Sequence, residues 1–120
     1  MSTMTSGYER SRNILDCYIA GFTYYDGISV FDDLSIGTSV ALRAEPDNPY
    51  DPNAVAVFYG NSKLGYIPRN TNKLISDLLY FGYGEIMEAL ISTRDIYAQP
   101  EKQFRVVIRL IDKRLRVQPF

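Results

Sequence analysis

Short segments in which apolar and polar residues alternate recur along the chain, as is typical of β-strands that are half buried in a core. Residues 17–25 are rich in aromatic and β-branched side chains and end at Asp26-Gly27, which predicts a first strand that closes in a turn. Residues 38–45 alternate and predict a second strand. Residues 104–111 also alternate and predict a last strand with one face in the core.

The middle of the chain has the pattern of a β-hairpin. Residues 54–59 and 63–67 are short apolar runs, and the Gly60-Asn61-Ser62 segment between them has the composition of a hairpin turn. Pro68 cannot donate a ladder hydrogen bond and should end the second of these strands.

A helix is predicted after the hairpin, beginning at Asn70 or Thr71 and ending at Gly82 or Gly84. Its apolar residues, which recur at helical spacing, are Leu74, Ile75, Leu78 and Leu79. Residues 85–94 then have the pattern of a mostly buried strand, with a helix as the alternative.

About six strands and one or two helices, separated by frequent turns, predict the mainly β class. We expect a small OB-like or SH3-like antiparallel β-barrel, with a β-grasp fold or an open sheet as the alternative. A chain of 120 residues has room for one such domain. We assign residues 1–13, which are rich in Ser and Thr, to a flexible N-terminal tail and residues 14–120 to the folded domain.

Charge bears on the kind of partner that the chain can bind. It has 13 Lys and Arg against 14 Asp and Glu, so its net charge is −1. A protein that coats nucleic acid needs a large positive excess, so any contact with nucleic acid must be local. Positive residues are concentrated near the end of the sequence, where the simplest interpretation is a solvated strand face. They are Lys102, Arg105, Arg109, Lys113, Arg114 and Arg116.

The chain has no histidine and one cysteine, which removes the commonest general base and the ligands of a usual zinc site. We therefore expect no cofactor, no metal and no enzymatic activity. Carboxylates such as Asp32 and Asp33 could hold magnesium, which leaves a small nuclease as an alternative. Cys17 lies in an apolar run and is expected in the core. The sequence shows no secretion signal and no long apolar stretch, which predicts a cytoplasmic protein without membrane contact.

Two tyrosines are placed where their rings should be exposed. Tyr24 and Tyr50 lie in or beside predicted turns, and an exposed ring on a barrel surface can stack on a base. Residues 45–53 combine prolines, asparagines and acids, which predicts a loop of fixed shape. Asp51 directly follows Tyr50, and its carboxylate would accept a hydrogen bond but repel a phosphate. This pair favours a terminal nucleotide with a free hydroxyl over a continuing strand.

Three runs, in their order and spacing, closely resemble the HIRAN family, which occurs at the N-terminus of certain DNA-repair and fork-remodelling ATPases. They are residues 21–27 (GFTYYDG), 42–57 (LRAEPDNPYDPNAVAV) and 64–69 (LGYIPR), and the resemblance extends over about residues 14–111. It implies an OB-like barrel that captures the 3′-hydroxyl end of single-stranded DNA in repair or processing. A DNA-processing enzyme acting in trans is then a possible partner.

The resemblance also implies roles for the aromatic pair and the turn. Tyr24, with its neighbour Tyr25, and Tyr50 would grip the last bases. Asp51 would accept a hydrogen bond from the terminal 3′-hydroxyl. A protein- or peptide-binding adaptor of barrel fold, which would use the same exposed rings, is the alternative function.

Three further residues complete the candidate site. Asn48 would shape or join the pocket, Arg69 would meet a phosphate at a position where a eukaryotic member has a lysine, and Tyr97 would supply another ring. Thr23 stands where that member has an arginine, which removes one phosphate contact.

Overall fold

The computed structural model describes residues 11–114, which form a mainly β structure. The elements in this range are strands β1 Ser11–Tyr18, β2 Ser39–Ala44, β3 Val55–Tyr59, β4 Ser62–Tyr66, β5 Met87–Arg94 and β6 Phe104–Ile111, and helix α1 Lys73–Tyr80. The six strands form one antiparallel sheet in the order β1-β6-β5-β2-β3-β4. Short 3₁₀ helices lie in the connections.

The two edge strands of the sheet, β1 and β4, meet at one point without forming a ladder. A single antiparallel bridge joins Ala20, just after β1, to Tyr66 at the end of β4. Its two backbone hydrogen bonds measure 2.8 and 2.9 Å. On the far side, β2 pairs with β5 over only two positions. The result is a partly open, OB-like barrel rather than a closed one, which confirms the predicted fold class.

Gly65 makes the bridge possible. Its φ is +149°, and a Cβ added to it would lie 2.4 Å from the carbonyl oxygen of Ala20. A side chain here would force the edges apart, so the close approach of the two backbones requires glycine.

The core is built mainly from aliphatic side chains and from two phenylalanines, Phe22 and Phe104. The largest fully buried residues include Phe104, Ile19, Leu34, Leu64, Ile67, Ile75, Ile91 and Ile108. Cys17 belongs to this core, as predicted, and its burial raises the pKa of the thiol to about 11.

The first strand differs from its prediction. It begins at Ser11, within the residues assigned to the tail, and pairs with β6, while residues 1–10 lie outside the described range. It ends at Tyr18, and the chain turns into a 3₁₀ helix, Phe22–Tyr24, which the sequence did not predict. The turn begins at Gly21, whose φ is +73°, and carries the Phe22 ring to 4.9 Å from that of Phe104 in the core.

The other predicted strands are confirmed, and residues 85–94 contribute a strand rather than a helix. Helix α1 begins later than predicted, at Lys73, because Arg69–Thr71 forms a 3₁₀ turn first. It stops at Tyr80, and Gly82, with a φ of +90°, lets the chain turn back. Between residues 11 and 114 no helix has the length and apolar character needed to span a membrane.

Candidate nucleic-acid interface

An open pocket of about 360 Å³ lies between the β2–β3 loop, the end of β4 and the segment that leads into α1. It brings together five of the seven predicted site residues, which are Tyr25, Asn48, Tyr50, Asp51 and Arg69. The other lining residues are Ala20, Pro49, Ala54, Tyr66, Ile67 and Asn72. The bridge between the two sheet edges therefore forms part of the wall.

Asn48 holds the turn that carries the two central residues of the pocket. Its Oδ1 accepts hydrogen bonds from the backbone N–H groups of Tyr50, at 2.9 Å, and Asp51, at 3.1 Å. Its Nδ2 donates to Glu45 Oε1 at 3.0 Å. This is an Asx turn in which the side chain replaces a backbone partner.

Asp51 is a fixed, ionised acceptor. The backbone N–H of Asn53 donates to Oδ1 at 2.9 Å, and the Asn72 amide donates to Oδ2 at 2.9 Å. Arg69 Nε lies 3.7 Å from the same Oδ2. The two hydrogen bonds and the guanidinium hold the pKa of Asp51 below its usual value. A carboxylate has about four lone-pair sites, so these donors leave some free for a ligand.

The sequence did not identify Asn72, although its side chain reaches the pocket. Asn72 precedes α1 and is only 3% exposed, but its side chain does not cap the helix and turns to Asp51 instead. Arg69, on the same segment, also donates from Nη2 to the carbonyl of Tyr50. The segment after β4 thus clamps the turn through both residues, while the Arg69 side chain stays 73% exposed.

Two tyrosine rings line the same pocket as this carboxylate. Tyr50 is 83% exposed, and Tyr25 is partly exposed and packs edge-on against Tyr66 with a centroid distance of 5.6 Å. The Tyr50 ring is therefore largely exposed, and the Tyr25 ring is held against the barrel by Tyr66.

A polar network around Glu45 connects two residues of the pocket lining, Asn48 and Tyr66. Lys63 Nζ donates to Glu45 Oε2 at 3.0 Å and to the Tyr66 hydroxyl at 2.9 Å, and that hydroxyl donates to Glu45 Oε1 at 2.7 Å. Burial acts to raise the pKa of Glu45, but the hydrogen bonds from Tyr66, Asn48 and Lys63 outweigh it and lower that pKa. Loop and hairpin are thereby joined across the barrel surface.

The two remaining candidates, Tyr24 and Tyr97, do not line the pocket. Tyr24 is 81% exposed and directly precedes Tyr25, whereas Tyr97 is 93% exposed on the β5–β6 loop. That loop is tied to the Tyr24 region because Thr23 donates to Glu101 from its N–H and its hydroxyl. Thr23 thus links the turn that carries Tyr24 to the β5–β6 loop.

The structure also shows the surroundings of the carboxylates that were considered for magnesium binding. Asp32 is fully exposed, with one oxygen 3.9 Å from Arg94. Across residues 11–114 no group of three or more His, Cys, Asp or Glu side chains is placed to hold a metal ion together.

Comparison with known proteins identifies the family. The HIRAN domain model matches residues 13–110. The Fanconi-associated nuclease 1 homologs of Oryza sativa subsp. japonica and Arabidopsis thaliana are 33% and 32% identical to the chain over 70 and 72 residues. The matches cover 55% and 59% of this chain but only 7% and 8% of those proteins, so the chain spans a small fraction of their length.

Two solved structures share the fold. A protein from Lactobacillus plantarum superposes with a TM-score of 0.69 at 26% identity, covering 83% of this chain and 94% of that one. The HIRAN domain of human HLTF gives 0.57 at 19% identity, covering 86% and 82%, a likeness of fold alone. Because the family model covers most of the sequence, the chain belongs to the HIRAN domain family, a family of DNA-binding modules.

Proposed function

We propose that this chain is a non-catalytic module that captures the 3′-hydroxyl end of single-stranded DNA in the pocket around Asp51. The observation that carries the proposal is an ionised carboxylate, fixed by Asn53 and Asn72, beside an exposed tyrosine ring. Such a carboxylate can accept a hydrogen bond from a terminal hydroxyl. The adjacent ring can stack on the base of the same nucleotide.

The rings supply the sequence-independent part of the binding. Stacking of a base on an aromatic side chain is worth about 1 to 3 kcal/mol, and every base has a face to offer. Tyr50 is free to stack, and Tyr25 gives the pocket a second, fixed ring. We therefore expect stacking on these two rings to contribute affinity with little sequence preference.

Selectivity for the terminus follows from charge. A 3′-phosphate or a continuing phosphodiester would place negative charge against the Asp51 carboxylate, whereas a free hydroxyl would not. The exposed guanidinium of Arg69 lies beside this carboxylate and is suited to the phosphate that precedes the last nucleotide. With 13 Lys and Arg against 14 Asp and Glu, the chain lacks the positive excess that is typical of proteins that bind a long strand.

We infer further that the module serves DNA repair or processing in the cytoplasm, presenting the captured end to an enzyme in trans. Two plant relatives that share the domain are named nucleases, which supports this kind of partner.

Fluorescence anisotropy with matched oligonucleotides tests the capture. We expect a strand ending in a 3′-hydroxyl to bind at least about tenfold more tightly than the same strand ending in a 3′-phosphate, which corresponds to about 1.4 kcal/mol. Asp51→Asn should remove most of this preference. Asp47→Asn is the matched control, because Asp47 is an exposed acid of the same loop outside the pocket lining.

Equal binding of the hydroxyl and phosphate ends, or an equal effect of the two variants, would contradict the mechanism. Binding that is insensitive to salt would point to the peptide-adaptor alternative, because contacts with phosphate weaken as salt increases.

A further inference from the structure

A second group of aromatic and basic side chains lies outside the pocket lining and is not used in the proposed end capture. It consists of Tyr18 at the end of β1, Lys102 in the β5–β6 connection and Arg105 on β6, and we call it the basic edge. Lys102 and Arg105 belong to the positive cluster that the sequence shows near its end.

The basic edge is connected to the pocket through neighbouring residues of the chain and the hydrogen bonds between Thr23 and Glu101. Tyr25 lines the pocket, and Tyr24 and Thr23 precede it in the chain. Thr23 is bonded to Glu101, which precedes Lys102 in a short 3₁₀ helix, Pro100–Lys102. The chain therefore leads from the pocket through the exposed Tyr24 to Thr23, and the hydrogen bonds between Thr23 and Glu101 lead on to the short helix that contains Lys102.

The three side chains of the basic edge form a cation–π stack. The Arg105 guanidinium carbon lies 4.5 Å from the centroid of the Tyr18 ring, and Lys102 Nζ lies 5.5 Å from it. Asp16 holds Arg105 through bonds of 3.0 Å to its carboxylate and 2.8 Å to its carbonyl. Both cations are thus positioned by contacts made before any ligand binds.

Lys102 is the cation of this group that remains available. Arg105 is neutralised by Asp16, whereas no carboxylate among residues 11–114 forms an ion pair with Lys102, whose side chain is exposed. The neighbouring Glu101 carboxylate accepts from Thr23. The Glu101 carboxylate keeps its charge but forms no ion pair with Lys102, so the basic edge offers one positive charge outside the ion pairs of residues 11–114, and this charge suits one phosphate.

We propose that the basic edge is a second nucleic-acid contact, in which Lys102 binds a backbone phosphate of the strand 5′ of the captured end. The strand would leave the pocket over Tyr24, and Tyr97, on the loop tethered by Glu101, would provide a ring for a further base. This inference rests on the proposed function. It predicts that affinity depends on strand length as well as on the terminus.

Affinity as a function of length tests it, with 3′-hydroxyl strands from dinucleotide to decanucleotide. In the native chain we expect affinity to increase with length beyond the dinucleotide. Lys102→Gln should bind the dinucleotide as well as the native chain does and lose most of that increase. For the decanucleotide, the slope of log affinity against log salt should fall by about 0.7, the value for one phosphate on a single strand.

Lys113→Gln is the matched control, because Lys113 lies beyond the other end of β6 and pairs with Glu85. An equal effect of the two lysine variants, or an equal loss for dinucleotide and decanucleotide, would overturn the proposal. If the preference for a 3′-hydroxyl is present while Lys102→Gln leaves the length dependence intact, only this second contact fails. If that preference is absent, the proposed function fails as well.

Discussion

Replacing Gly65 by alanine tests whether the Ala20–Tyr66 bridge holds the barrel and its pocket together. The added Cβ would lie 2.4 Å from the Ala20 carbonyl oxygen, whereas real Cβ atoms essentially never come within 3.0 Å of another heavy atom. The obstacle is backbone and cannot rotate away. The two sheet edges must therefore separate by more than half an ångström, which is enough to break the bridge.

The cost has two parts. The bridge contains two backbone hydrogen bonds, at 2.8 and 2.9 Å, each worth about 1 kcal/mol net. A non-glycine residue in an unfavourable positive-φ conformation adds about 1 kcal/mol. The free energy of unfolding should fall by about 3 kcal/mol, which corresponds to a decrease in Tm of about 12 °C for a domain of this size. Because Ala20 and Tyr66 also line the pocket, binding of a 3′-hydroxyl strand should weaken as well.

Thermal and urea unfolding measure the loss, with Gly60→Ala as the control. Gly60 lies in the turn of the same hairpin and also has a positive φ, +57°, but a Cβ there meets nothing within 4 Å. The Gly60→Ala variant should lose only the conformational part of the free energy of unfolding, about 1 kcal/mol, and keep its affinity for DNA. If the two variants lost equal stability, the bridge would contribute nothing and our reasoning would be refuted.

Three further predictions concern titratable groups. Asn72→Asp places a second carboxylate against Asp51, and the repulsion between the two raises one pKa of the pair. As pH rises through that pKa, both groups become charged, and the affinity for a 3′-hydroxyl strand, measured by anisotropy, should weaken. Because the pKa of Glu45 is lowered in the folded protein, the charged Glu45 contributes its full stabilisation above about pH 4.5 and loses it as pH falls through its folded-state pKa. In urea titrations the difference in unfolding free energy between the native chain and Glu45→Gln should therefore shrink in acid. The Cys17 thiol, with a pKa of about 11, should react with iodoacetamide at neutral pH only after unfolding.

Each of these has a result that would count against it. A pH-independent affinity in Asn72→Asp would mean that the two side chains do not interact. A constant stability difference between native chain and Glu45→Gln down to acid pH would remove the Glu45 network as a source of acid sensitivity. Rapid alkylation of Cys17 in the folded protein would show that the thiol is accessible.

Strands with alternating burial and clear turn residues could be predicted from the sequence. The hairpin and β6 follow the pattern of the chain closely. The end of the first strand was predicted wrongly, because aromatic content does not distinguish a strand from a turn that buries one ring. Gly21 turns the chain, and Gly27 leaves room for the Phe22 ring, since a Cβ there would lie 2.4 Å from it. That fit depends on tertiary packing and leaves no periodic signal.

In the candidate site, too, some residues could be predicted from the local sequence and others are brought in only by the fold. The residues of the loop, Asn48, Tyr50 and Asp51, are adjacent in sequence and could be proposed together from their chemistry. Asn72 lies 21 residues from Asp51 and reaches it only through the fold. Nothing in its local sequence separates it from an ordinary helix cap. Residues that position others across the barrel are therefore the part of a site that sequence patterns alone do not reveal.

The turn at Tyr50 and Asp51 is held from two sides before any ligand binds, by Asn48 within the loop and by the segment after β4. Contacts already made in the free protein reduce the ordering cost of binding. Only two cations, Arg69 and Lys102, are proposed to meet phosphates, so counterion release should contribute a small salt slope and the affinity for a strand end should depend chiefly on this preorganisation. Pro49→Gly, which loosens the turn and leaves every charge in place, should therefore speed dissociation without changing the salt slope. Loss of Lys102 should instead reduce the salt slope, because it removes a charge while the turn that holds Tyr50 and Asp51 stays intact.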